Sequence, residues 1–296
     1  MIPADLTPLP DWLRALYPFE PKRFETGRGA MSYLDEGSGD EAVVMVHGNP
    51  TWSFYYRNLV LGLRGKIRCI VPDHLGCGLS DKPPDFNYTL EEHIRNLRAL
   101  LASLGLRRIH LIVHDWGGPI GLGAALATPE QLGRVVILNT AAFADPRIPA
   151  RIRLCRVPGL GELLVRGLNG FAWPATWMAV ATPLTPEVKR GYLYPYDRWA
   201  NRIATHRFVV DIPTGQDRAS DRALAGVESK LAGLRDRPVR ILWGGQDFCF
   251  NRHYYDRWVR LLPEAQSDYL PAAGHYVLED ARDYCLGEIS RHILAS

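Results

Sequence analysis

Residues 109–127 restrict the fold of this chain more than any other stretch. A mostly apolar run, 109–113, broken only by His110, passes through His114-Asp115-Trp116-Gly117-Gly118 into a Gly- and Ala-rich segment. A short, nearly continuous apolar run suits a strand buried on both faces, which requires layers on both sides of a parallel sheet. A helix with small side chains can lie close against that sheet. The junction then becomes a tight strand-to-helix turn that lifts one side chain above the sheet. Asp115 occupies that position. A carboxylate is a poor acyl nucleophile but competent toward an sp³ carbon that carries a leaving group.

The same alternation recurs along the chain. Residues 31–34, 42–46 and 67–71 read as strands. Thr89 is the expected N-cap of a helix over 90–104, with Gly105 as its stop. Another buried strand follows at 135–138. From about 143 to 213 the strand pattern disappears, and helical stretches rich in Pro, Arg and Trp take its place. Strands resume at 239–243 and 267–270, with helices near 254–262 and after Asp280. The expectation is an α/β fold with a mostly parallel central sheet flanked by helices. Its core divides into 1–142 and 214–296, and 143–213 forms an inserted helical cap.

Bulk properties exclude several function classes. The 296 residues suffice for one large domain with an insertion. A net charge of +3, with scattered Arg, gives no block for nucleic acid or an anionic surface. The five cysteines are odd in number and fit no zinc spacing and no disulfide framework. Residues 1–19 lack the features of a signal peptide, and no run approaches the ~20 apolar residues of a membrane span. A cytoplasmic protein is expected. The oligomeric state stays open.

Three residues fall at the ends of expected parallel strands, where open α/β folds place their ligands. Asp115 is first, Asp247 follows strand 239–243, and His275 follows strand 267–270. In this order His275 would be the general base that takes a proton from water. Asp247 would fix its tautomer and stabilise the imidazolium. After strand 42–46 comes His47-Gly48-Asn49-Pro50. The backbone N–H groups of Asn49 and Trp116 would face one oxygen of an Asp115 ester. Their side chains add an amide and an indole donor that could hold a departing anion. Phe171, Trp173 and Trp177 either line the pocket from above or fill the cap core. His47 is expected to brace its turn, His114 to bond locally, and Glu279 and Asp280 to face solvent or start the last helix. Carboxylate and water supply all reacting groups, so no metal or organic cofactor is expected. A small apolar substrate is the expected partner.

Three segments, His47-Gly-Asn-Pro-Thr-Trp-Ser53, Val113-His-Asp-Trp-Gly-Gly118 and Ala273-Gly-His-Tyr-Val277, together resemble the haloalkane dehalogenases of the α/β-hydrolase superfamily. The likeness covers nearly the whole chain, cap included. It implies that Asp115 displaces halide to form an alkyl-enzyme ester, which His275-activated water cleaves to an alcohol. Asn49 and Trp116 would hold the halide. One subfamily places its acid after the strand that precedes the cap. Here that strand ends Ile137-Leu-Asn-Thr140 without a carboxylate, so Asp247 is the better candidate. This pattern looks like the third dehalogenase subfamily, some of whose members resemble β-lactone decarboxylases of long-chain olefin synthesis. Residues 139–143 and 195–202 are also similar to those decarboxylases. In that alternative the aspartate opens a strained lactone, and loss of carbon dioxide leaves an alkene. Epoxide hydrolysis and non-catalytic binding of a hydrophobic ligand are further alternatives.

Overall fold

Eight strands form one sheet in the computed structural model, which describes residues 9–295. They are β1 (Lys22–Glu25), β2 (Ala30–Glu36), β3 (Glu41–Val46), β4 (Arg68–Pro72), β5 (Arg108–His114), β6 (Leu132–Leu138), β7 (Val239–Gly244) and β8 (Gln266–Leu270). Their spatial order is β1-β2-β4-β3-β5-β6-β7-β8. Strands β1 and β2 pair antiparallel, as do β2 and β4, and every other pair is parallel. Strand β1 is absent from the sequence reading. Its Lys-Arg-Phe-Glu run lies at a sheet edge with little burial, so no apolar alternation marks it. The leading part of the N-terminal reading, residues 1–8, lies outside the described residues.

The central strands are buried on both faces, as their largely apolar runs require. Val44 and Val46 of β3 and Leu111 and Val113 of β5 join one core cluster. Val43, Met45 and Ile112 point the other way into a second cluster. The two-residue period of a strand produces this split, and each fully buried side chain contributes about 1.5–3 kcal/mol. After β5 comes the helix Gly117–Ala125. A Cβ on Gly117 would lie 1.9 Å from the Val46 carbonyl oxygen, so only glycine permits this approach of helix to sheet. On the helix Leu90–Ser103 the buried residues Leu90, His93, Leu97, Leu100 and Leu101 share one stripe. Thr89 caps it by accepting a bond from the Glu92 N–H at 3.5 Å.

Among the described residues no strand lies between Leu138 and Val239. The intervening chain includes the helices Ala150–Leu154, Ala172–Met178, Pro186–Leu193 and Ile203–Asp211. A buried ion pair ties this helical insertion to the core. Arg57 donates to both Glu279 oxygens, at 2.6 and 3.0 Å, and Tyr192 of the insertion also donates to Glu279. Glu279 therefore does not face solvent as expected. Its side chain is 9% exposed, and its partner Arg57 stands 222 residues away in sequence. Neither Glu279 nor Asp280 starts the last helix, since both close the short helix Val277–Asp280 ahead of Arg282–Ile293, and Asp280 is half-buried. It accepts the backbone N–H groups of Ala181, Thr182 and Gly274 at 2.8, 2.8 and 2.7 Å. Among the described residues no helix is long and apolar enough to cross a membrane. All five cysteines are free thiols.

Candidate active site

Strand β5 delivers Asp115 into the turn with φ +52°, a left-handed conformation costly for a residue with a side chain. Neighbouring groups hold it there. The Asp115 N–H donates to the Asn139 carbonyl at 3.1 Å. Its own carbonyl accepts from the Gly118 N–H at 3.0 Å and from the Thr140 hydroxyl. Gly48 leaves room for the carboxylate, since a Cβ there would lie 2.0 Å from Asp115 Oδ1. That oxygen accepts the Asn49 N–H at 2.6 Å, and the Trp116 N–H also donates to the carboxylate.

His275 faces Asp115 from the segment after β8. Its Nε2 lies 3.7 Å from Asp115 Oδ2, and its Nδ1 lies 2.6 Å from Asp247 Oδ2. A carboxylate only accepts, so Nδ1 carries the proton and Nε2 is left toward Asp115. Phe250 stacks on the imidazole at 5.7 Å between centroids. His114 does not bond only within its own turn, as expected, but reaches across the sheet, with Nε2 2.9 Å from the His275 carbonyl. His47 does brace its turn, with Nδ1 2.7 Å from the Gly48 carbonyl.

Asp247 is buried and held from three sides. Its Oδ1 accepts the N–H groups of Cys249 and Phe250 at 2.7 and 3.0 Å. Its Oδ2 accepts the Asn139 amide at 3.0 Å. Asn139 in turn bonds both backbone groups of Gly244, at 2.8 and 3.0 Å. The sequence marks Asn139 as the place where a carboxylate is missing and as the start of a stretch similar to the decarboxylases, but not as a partner of Asp247. Its position at a strand end, beside the strand that leads to Asp247, was the available signal.

Burial pushes the Asp115 carboxyl above its ordinary range, against the lowering effects of His275 and the two N–H donors. Burial alone would lower His275. The charge and hydrogen bond of Asp247, with the charge of Asp115, outweigh it, and the imidazole shifts upward.

These groups stand in a cavity of about 430 Å³ with a mostly apolar lining. Asn49, Asp115, Trp116 and His275 supply its polar end. One Asn49 amide hydrogen goes to the Thr205 carbonyl of the insertion at 3.1 Å, which leaves the other for a ligand. Phe171 lines the cavity, but Trp173 and Trp177 do not. On the helix Ala172–Met178 they share the outer face, 56% and 44% exposed, and pair edge-to-face at 4.3 Å. Pro174, Ala175 and Met178 take the inner face.

The profile of the α/β hydrolase fold family matches residues 41–281. A cis-3-alkyl-4-alkyloxetan-2-one decarboxylase from Shewanella oneidensis is 44% identical, over 95% of this chain and 89% of its own. Haloalkane dehalogenase 2 of Mycobacterium bovis is 32% identical, over 94% of this chain and 95% of its own. Among solved structures, the haloalkane dehalogenase DatA from Agrobacterium tumefaciens superposes with a TM-score of 0.82 at 25% identity. The match covers 93% of this chain and 96% of that one.

Proposed function

The chain belongs to the α/β hydrolase fold family, and on that premise we propose that it is a β-lactone decarboxylase with Asp115 as nucleophile. Asp115 Oδ2 attacks C4, the sp³ ring carbon of a cis-3,4-dialkyl β-lactone, from the side opposite the ring oxygen. The C4–O bond breaks, ring strain is released, and the substrate carboxylate is freed while still attached through C3. Next the C3–carboxylate bond breaks. Its electron pair forms the C3=C4 double bond as the C4–O bond to Asp115 cleaves. Carbon dioxide leaves and Asp115 is restored, with no proton transferred. Inversion at C4 sets the Asp115 oxygen opposite the carboxylate, so a cis-lactone gives a cis-alkene without rotation.

Charge travels from the substrate carboxylate to Asp115. The Asn49 and Trp116 N–H groups and the His275 imidazolium stand where it arrives. The upward shift of His275 favours that cationic form. The Asn49 amide and the Trp116 indole offer the freed carboxylate two donors. The cavity within the helical segment 143–213 and the sheet receives the alkyl chains.

The observation that carries this reading is the higher identity to the decarboxylase, 44% against 32% for the dehalogenase, around a site both chemistries can use. Halide displacement followed by hydrolysis, the first reading of the motifs, is the second proposal. A His275–Asp247 couple suited to activating water favours it. Supplying a dialkyl β-lactone and 1,2-dibromoethane in parallel separates the two. We expect alkene and carbon dioxide from the lactone to outpace bromide release. Bromide release without alkene would reverse the order of the proposals.

A further inference from the structure

The helical insertion carries most of the exposed apolar side chains and more than the whole excess of positive charge. Of twelve large hydrophobic residues exposed among the described residues, eight lie between 154 and 199. Five fall within 154–168, and the others are Trp173, Trp177 and Trp199. Residues 143–213 hold ten Lys or Arg against five Asp or Glu, a charge of +5. The chain as a whole is +3, which leaves −2 for the rest, so the near-balanced total that by itself argues against an anionic surface conceals a local excess. Isolated surface hydrophobics are ordinary, but this concentration in one segment is not.

The apolar and basic residues interleave. The Arg166 guanidinium, which is ion-paired with Glu162, lies over the Trp199 ring at 4.5 Å, and Leu163 and Trp199 both lie against Gly167. Arg151 and Arg153 are exposed and form no ion pair among the described residues. The surface continues into the cavity described above. Arg151 and Leu154 are exposed and also line it, which puts them at its mouth.

We propose that this face of the insertion, from Arg151 to Trp177 with Trp199, docks on an anionic lipid surface. Exposed Leu and Trp side chains enter the boundary between head groups and acyl chains, while arginines meet lipid phosphates. Tryptophan favours that boundary because one end of the indole is apolar and the other is a donor. A substrate with two alkyl chains resides in the bilayer, and a mouth held there admits it without passage through water. A second copy of the chain fits less well, since 151–177 holds four arginines against one glutamate, and pairing this face with itself sets +3 against +3. The docking surface does not depend on which reaction Asp115 performs, and its test uses no turnover.

The full chain is floated with vesicles of phosphatidylcholine alone or with phosphatidylglycerol added, at low and high salt. Binding to the anionic vesicles should exceed binding to the neutral ones by about tenfold or more and weaken with salt. The exposed triple variant Leu163→Gln, Leu168→Gln, Trp177→Gln should bind about tenfold or more weakly while keeping its melting temperature. Arg153→Gln should bind about fivefold more weakly. Equal affinity for both vesicles, or none for either, overturns the proposal. So does a vesicle-free dimer in analytical ultracentrifugation that the triple variant dissolves, which would assign the face to a second copy.

Discussion

Gly48→Ala places a methyl group where the Asp115 carboxylate now sits. The added Cβ would lie 2.0 Å from Asp115 Oδ1 and 2.4 Å from its Cβ, whereas ordinary contact begins at 3.4 Å. The carboxylate must withdraw by about 1.4 Å, the difference between contact and overlap. The elbow itself cannot follow, because Asn139, Gly118 and Thr140 pin the Asp115 backbone. The side chain must turn instead, out of the 2.6 Å bond from the Asn49 N–H and away from His275. A misplacement of about 1 Å costs roughly 10²-fold in rate. Losing a hydrogen bond to a charged group costs about 1.5–3 kcal/mol, which is the same order. We therefore expect kcat on the lactone to fall by roughly 10²–10³-fold, with about 1–3 kcal/mol of stability lost to overpacking. Steady-state kinetics with a melting curve reads both. A kcat within about threefold of the parent would show that the close approach is not what positions the nucleophile.

Three further outcomes follow from the same geometry. Asn139→Leu removes the amide that holds Asp247 Oδ2, and kcat on the lactone should fall about 10- to 100-fold while the alkaline limb of its pH profile, where the His275 imidazolium is lost, moves to lower pH as His275 loses support; an unmoved limb would make Asn139 merely structural. Asp115→Asn should lose turnover in a fresh preparation and recover slowly as the amide deamidates, which the mass of the elbow peptide over time would track. Burial lowers His74 to about 4, so the folded state binds fewer protons than the unfolded state between that value and its ordinary one. Its contribution is intact above about pH 6.5 and is lost as the pH falls toward 4; a urea midpoint flat across that window would contradict it.

The elements most legible in the sequence are those whose side chains meet only the core. Strands β3, β5 and β7 are largely apolar because both faces are covered, with His110 in β5 and Arg240 in β7 as the interior exceptions, and their ends point to Asn49, Asp115 and Asp247. Elements defined by distant partners left little trace. The edge strand Lys22–Glu25 has no apolar pattern. Glu279 looks like a surface acid until Arg57 and Tyr192 are brought to it by the fold. Phe171, Trp173 and Trp177 could be proposed together as pocket residues, since which face of the helix Ala172–Met178 turns inward depends on how that segment sits on the sheet. The same ambiguity affects the chemistry. Asp115, His275 and Asp247 are common to both readings, and what resolves the ester, water or loss of carbon dioxide, lies in the substrate as much as in the protein.

The central claim is that Asp115 bonds to substrate carbon. A 1-bromoalkane tests it directly, because its ester with Asp115 carries no carboxylate to lose and persists when no base activates water. His275→Ala enzyme is incubated with the bromide, digested, and the peptide that contains Asp115 is weighed. The account predicts a gain of one alkyl group on that peptide. An unchanged mass, while the parent enzyme turns over the lactone, would contradict it.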